Sequence, residues 1–215
     1  MSLASLTALA LTVLALRLGA SGAAAAAAAA APHRYEPNWD SLMTRPLPSW
    51  YDEAKVGIFI HWGVYSVPSF NIHNMSKAIK DGYAAEWYWW YLHGLPTEEV
   101  IAFHNETYGR DFTYEEFGPM FKAEMWEPEQ WAELFQASGA EYVVLTAKHH
   151  EGWCNWCSAE AFGWNSCDNG PHRDLVGEMT DAVRAKGLHM GLYHSIFEWY
   201  HPLYLEDKAN GMRYS

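Results

Sequence analysis

Basic residues are scarce in this sequence. The 215-residue chain carries 14 Lys and Arg against 26 Asp and Glu, a formal net charge of −12 with its 11 histidines neutral. A nucleic-acid partner needs a basic face on the protein, so this balance argues against that class of function. Cysteine is scarce too. Three residues, Cys154, Cys157 and Cys167, cannot build a four-cysteine zinc site within one chain. No Gly-rich phosphate loop, dinucleotide fingerprint or Gly-x-Ser-x-Gly elbow occurs. Beyond the first residues, no apolar run is long enough to cross a membrane.

Aromatic surface, by contrast, is abundant: 12 Trp, 13 Tyr and 9 Phe in a chain that is 50% hydrophobic. Such a chain is too aromatic to be disordered and long enough to bury a sizeable core. Tryptophan ordinarily packs. Its broad flat faces also stack on sugar rings and other flat, weakly polar ligands.

The chain opens with an apolar run, Leu3 to Leu16, of the length of a signal h-region, followed by the small residues Ala20, Ser21 and Gly22. Residues 1–22 read as a secretory signal peptide, 23–32 as a polyalanine spacer, and 33–215 as the folded part. No Lys or Arg precedes the run and Arg17 sits near its end, which leaves an uncleaved signal anchor as the alternative. Sequons at Asn74 and Asn105 fit N-glycosylation during export. In an oxidising compartment one pair among Cys154, Cys157 and Cys167 bridges and leaves an odd thiol. A Cys-x-x-Cys redox site is the alternative.

Three short apolar runs, Val56–Ile60, Tyr142–Ala147 and Met190–Tyr193, have the character of fully buried strands. Pro128 starts a helix with Trp131, Leu134 and Phe135 on one face, closed by Ser138-Gly139. Asp174 caps a second helix with Leu175, Met179, Ala182 and Val183 on one face and Gly187 after it. A helix–Gly–strand unit used twice implies parallel strands with covering helices, an α/β fold. Long segments follow the strands. One holds a capping box, Thr113 to Glu116, ahead of Phe117 and Phe121, and the aromatic block Glu86 to Tyr91. Elaborate loops at the carboxyl ends of parallel strands mark the active face of such folds.

The strand ends carry the chemistry. The first closes as His61-Trp62-Gly63, the second as Lys148-His149-His150-Glu151-Gly152, the third as Tyr193-His194-Ser195. One histidine at a strand end is usually structural, whereas three strands delivering His, Trp, Tyr and Glu to one edge point to a site. A metal centre is the first alternative, since imidazoles bind zinc. The first strand lacks a His-x-His pair, and adjacent His149 and His150 cannot face the same way on an extended strand. One would face the barrel centre and the other a loop. A carbohydrate fits better: His and Tyr hydrogen-bond hydroxyls, Trp stacks on a ring face, and Glu86 can bind a hydroxyl pair. Glycoside hydrolysis needs two carboxylates, about 5–5.5 Å apart for retention or about 6.5–9.5 Å for inversion. Glu86, Glu151 and Glu198 are the candidates, and none stands out as a nucleophile.

Taken together, Val56-Gly-Ile-Phe-Ile-His-Trp-Gly63, Tyr142-Val-Val-Leu-Thr-Ala-Lys-His-His-Glu-Gly152, Gly170-Pro-His-Arg-Asp-Leu-Val-Gly177, Gly191-Leu-Tyr-His-Ser195 and Glu198-Trp199 resemble the α-L-fucosidases of glycoside hydrolase family 29, in their animal lysosomal or secreted branch. The similarity runs from about Tyr35 to Gly211. It implies a (β/α)8-like (TIM) barrel and retaining release of terminal α-L-fucose from glycoproteins, glycolipids and oligosaccharides. It implies no metal and no organic cofactor, and allows a homo-oligomeric full-length form. By motif, His61, Glu86, Trp87, His149, His150 and Tyr193 would bind the sugar. Trp89, Trp90 and Trp153 would pack, and His172, Arg173 and Asp174 would shape a loop and cap a helix. The resemblance places the nucleophilic Asp and the acid/base Glu beyond Ser215. A whole barrel takes about 250 residues, so 33–215 reads as its amino-terminal part. That part alone is expected to be inactive and, with open sheet edges, prone to aggregate. A non-catalytic sugar-binding or partner-binding fragment is the alternative.

Overall fold

The computed structural model describes residues 34–72, 84–199 and 201–212. The signal and spacer segments and the Asn74 sequon lie outside the described residues. Residues 34–47 belong to a unit of their own. It holds a short helix, Trp39–Leu42, capped by the Asn38 side chain on the Ser41 amide at 2.8 Å. The compact unit begins at Pro48.

Its framework is a three-stranded parallel sheet in the order β1 (Gly57–Ile60), β2 (Tyr142–Lys148), β3 (His189–His194). Gly57 pairs with Tyr142 and Tyr142 with His189, which sets the register across the sheet. The parallel order agrees with the sequence. The ends move slightly: Val56 falls outside β1, while β2 and β3 each gain residues. In β2, Val143 and Leu145 are fully buried, because helices cover that face.

The principal helices are α1 (Glu98–Thr107), α2 (Pro128–Ala137), α3 (Leu175–Ala185) and α4 (Pro202–Ala209). In α3, Asp174 accepts a hydrogen bond from the Gly177 amide at 2.8 Å, and Leu175, Met179, Ala182 and Val183 are buried as their spacing requires. In α2 one expectation fails. Leu134 is 69% exposed. The buried positions are Ala132 and Phe135, with Trp131 packed partly beside them, so the apolar stripe is rotated away from Leu134. Gly139 and Gly187 take φ of +81° and +76° after these helices, the left-handed geometry that lets the chain reverse into a strand. The Thr113 capping box forms, with the Thr113 amide 2.6 Å from the Glu116 carboxylate. It opens only a short 3-10 turn, Tyr114–Glu116, followed by the single turn Phe117–Met120.

Two further ties shape the region around the strand ends. Trp126 Nε1 donates to Glu178 at 2.7 Å, and Arg173 donates to the same carboxylate, linking the segment before α2 to α3. Cys157 and Cys167 are bridged, leaving Cys154 as a buried thiol that burial pushes up to about 11. The bridge takes Cys157 away from the Cys154-x-x-Cys157 redox alternative. Asn105 sits half-buried in the last turn of α1, and its sequon partner Thr107 is exposed. No helix among the described residues is long and apolar enough to cross a membrane.

Candidate functional site

Strand alternation aims the site. Ile58, Ile60 and Trp62 turn to the helices. Phe59 and His61 turn to the other face, where register sets His61 near Thr146 and Tyr193. The rings of Phe59, His61 and Tyr193 lie 4.7–5.7 Å apart. Thr146 donates to the Ile60 carbonyl at 2.8 Å and holds β1 and β2 together at this level.

The two adjacent histidines converge instead of diverging. Pairing with β3 shifts register between Thr146 and Lys148, and the Gly152 amide closes a turn onto the His149 carbonyl at 3.1 Å. Extended geometry therefore ends before His149, and the alternation argument no longer applies there. The His149 and His150 rings lie 4.3 Å apart. His149 stacks on Tyr193 at 5.8 Å and meets His61 edge-on at 5.5 Å. His150 shares a 2.6 Å hydrogen bond between Nδ1 and the Ser195 hydroxyl.

The aromatic block completes the cluster. Glu86 and Trp87 lie on a 3-10 turn, Ala85–Trp87, ahead of a π-helical turn, Trp90–Gly94, a form enriched at functional sites. Trp87 meets the His150 ring edge-on at 5.5 Å and lies 5.1 Å from Trp199. Trp199 is buried against Trp89 and Trp90, and its amide donates to the His150 carbonyl at 2.8 Å. His61, Trp87, His149, His150 and Tyr193 thus gather at one edge. The Glu86 carboxylate is close enough to oppose the lowering that burial imposes on His61 and His149.

Four residues outside the expected set support it. Lys148, itself buried, pairs with Glu198 at 2.5 Å. Trp199 backs His150. Glu151, fully buried, lies 3.3 Å from His149 Nδ1. Asn155 donates to the Trp62 and Thr146 carbonyls at 2.7 and 2.9 Å and accepts from Trp153 Nε1 at 2.9 Å, pinning the ends of β1 and β2. The HisHisGluGly and GluTrp runs flagged Glu151 and Trp199. Nothing in the sequence flagged Asn155. Trp153 packs in the core, and His194 lies beside Trp156 and lines a separate cavity with Ala147, Asp174 and Val176. His172 shares a hydrogen bond with the Cys167 carbonyl.

Electrostatics follow burial. Desolvation holds His149 and His150 down to about 4, with Glu86 pulling His149 up and His149 and Lys148 pushing His150 further down. Burial also lowers His61, against the pull of Glu86. Glu151 is pushed up to about 8 by burial, and burial raises Tyr193. At neutral pH the site presents neutral imidazoles and a phenol, each able to donate and accept one hydrogen bond, which suits hydroxyl ligands. Among the described residues, no three His, Cys, Asp or Glu side chains are grouped so as to hold a metal ion.

Fold and site define a class: α/β proteins with an aromatic, imidazole-rich cluster at the carboxyl edge of a parallel sheet. A family model described as Alpha-L-fucosidase matches residues 22–215. The chain is 54% identical over 183 residues to the tissue alpha-L-fucosidase of Rattus norvegicus, covering 85% of this chain and 37% of that protein. It is 50% identical over 204 residues to the tissue alpha-L-fucosidase of Homo sapiens, covering 95% of this chain and 41% of that protein. Among solved structures, the Thermotoga maritima alpha-fucosidase in complex with fucose superposes with a TM-score of 0.70 at 44% identity, over 77% of this chain and 38% of that one. The chain belongs to the alpha-L-fucosidase family. It spans about two fifths of the length of these relatives.

Proposed function

We propose that this chain carries the sugar-binding part of an α-L-fucosidase active site, in a protein that releases terminal α-L-fucose from glycans. The observation that carries the reading is the convergence of His61, His149, His150 and Tyr193 with Trp87 at one sheet edge. In this reading the imidazoles and the Tyr193 phenol bind ring hydroxyls, Glu86 binds a hydroxyl pair, and Trp87 covers an apolar face of the sugar.

The sheet supports a larger (β/α)8-like barrel. β1 and β3 each have one unpaired side among the described residues, and Phe59, on the face that would be the barrel interior, is half-exposed. The nucleophilic Asp and acid/base Glu of a retaining reaction would come from strands after β3, so residues 33–215 bind and orient the sugar without attacking it. A leader at 1–22, a spacer at 23–32 and glycans on Asn74 and Asn105 fit a lysosomal or extracellular enzyme. Relatives named tissue and plasma alpha-L-fucosidase favour that route.

Tryptophan fluorescence during titration with L-fucose tests the reading. A saturable change, reduced in Trp87→Phe and absent with D-glucose, is expected. Incubation of the 215-residue chain with p-nitrophenyl α-L-fucoside is expected to release no p-nitrophenol. An unresponsive fluorescence signal, or turnover by this chain alone, overturns the proposal.

A further inference from the structure

Glu151 has no role in the sugar contacts just described, yet it is 1% exposed and no hydrogen bond of acceptable geometry reaches either carboxyl oxygen. Buried polar groups are nearly always paired, because an unpaired one loses its hydration with nothing in return and a buried charge loses more. The complementary orphan is its neighbour. His149 Nδ1 is also buried without a hydrogen-bond partner, and it lies 3.3 Å from Glu151 Oε2. The His149 ring is held from its other sides by Tyr193, His61, Tyr65, His150 and Trp199.

We propose that Glu151 is a positioning residue: it stays protonated, donates to His149 Nδ1, and thereby fixes the imidazole as the tautomer that carries its hydrogen on Nε2. The opposite case has a distinct outcome. An ionised Glu151 accepts a hydrogen bond, so His149 must carry its hydrogen on Nδ1 and keep a lone pair on Nε2. The two states differ by one proton released from the pair to water, with the imidazole hydrogen moved from Nε2 to Nδ1.

The surrounding groups favour the protonated acid over a broad pH range. Burial dominates at Glu151 and lifts it to about 8; Glu86 adds to the rise, while its own backbone N–H, Lys148 and His61 oppose it. Burial holds His149 at about 4 against the pull of Glu86. Tyr65 and Tyr193 are themselves raised by burial and by Glu151 and Glu86, so they stay neutral phenols beside the pair. His150 is neutral above about 4. Between about pH 4 and about pH 8 the pair holds one proton on the carboxyl and one on the ring. His149 then offers a fixed donor at Nε2, which selects a hydroxyl oxygen as its partner. That consequence rests on the proposed function, whereas the tautomer does not.

Labelling the 215-residue chain with 15N-histidine and recording two-bond 1H–15N spectra distinguishes Nδ1–H from Nε2–H for each ring. His149→Phe assigns the signal. From pH 5 to 7 the His149 signal is expected to show the Nε2–H tautomer, changing to Nδ1–H with a midpoint near 8. In Glu151→Gln the amide still donates to Nδ1, so the Nε2–H tautomer is expected to persist through pH 9. An Nδ1–H tautomer at pH 6 in the unaltered chain overturns the proposal, with or without a folded variant. So does a tautomer change that survives in Glu151→Gln. Loss of fucose binding with the expected tautomer would contradict the proposed function and leave this inference standing.

Discussion

Glu151 also makes the stability of the chain depend on pH in a way that one substitution isolates. In the folded chain the carboxyl holds its proton up to about 8, against 4.5 for its ordinary value. A group whose pKa is raised by folding contributes fully below its unfolded value and loses that contribution as pH rises through the folded one. At 1.36 kcal/mol per pH unit, the loss between pH 4.5 and pH 8 approaches roughly 4–5 kcal/mol as a ceiling. Glu151→Gln keeps the shape and the donor but cannot ionise. Its stability relative to the unaltered chain is expected to be about even, within ~1 kcal/mol, at pH 4.5 and higher by about 3–5 kcal/mol at pH 8.5. The lowered values of His149 and His150 act below pH 6.5, in the opposite direction, and cancel in the difference. Urea denaturation followed by tryptophan fluorescence at pH 4.5, 6.5 and 8.5 measures it. A difference between the two proteins that stays constant from pH 4.5 to 8.5 refutes the buried neutral acid.

Asn155→Ala removes a buried side chain that makes three hydrogen bonds and orphans the Trp153 Nε1 donor and two strand-end carbonyls. A loss of about 2–4 kcal/mol is expected in chemical denaturation. Trp199→Ala empties the space between Trp87, Trp89, Trp90 and His150. It is expected to cost roughly 3–5 kcal/mol and to weaken L-fucose binding in a calorimetric titration. Asp174→Ala removes the α3 cap on Gly177 and is expected to lower stability by about 1 kcal/mol without changing fucose affinity.

Legibility in the sequence tracked locality. β2 was readable because a strand covered on one face by helices and flanked by two others is apolar almost throughout, and α3 because Asp174 and Gly187 bracket a regular stripe. His61 and Tyr193 were readable as strand-end residues because period-two alternation holds up to them. The same rule misplaced His149 and His150, since the register shift past Thr146 is a property of pairing with β3 and not of β2 itself. Leu134 shows a similar limit: a spacing argument finds a stripe but not which edge of it faces the neighbouring helix. Three cysteines left the pairing open, and only the fold of the Cys154–Arg173 segment brings Cys157 to Cys167, with Cα atoms 5.1 Å apart. Asn155 carries no motif because its partners are backbone carbonyls, which any sequence supplies.

The central claim is that imidazoles from separate strand ends act on one ligand. Side-chain 1H–15N spectra of the histidine-labelled chain during L-fucose addition test it most directly. The signals of His61, His149 and His150 are expected to move together and saturate at one midpoint, while those of His104, His172 and His201 stay in place. Stationary signals at the first three, or equal movement at the outlying histidines, would contradict it.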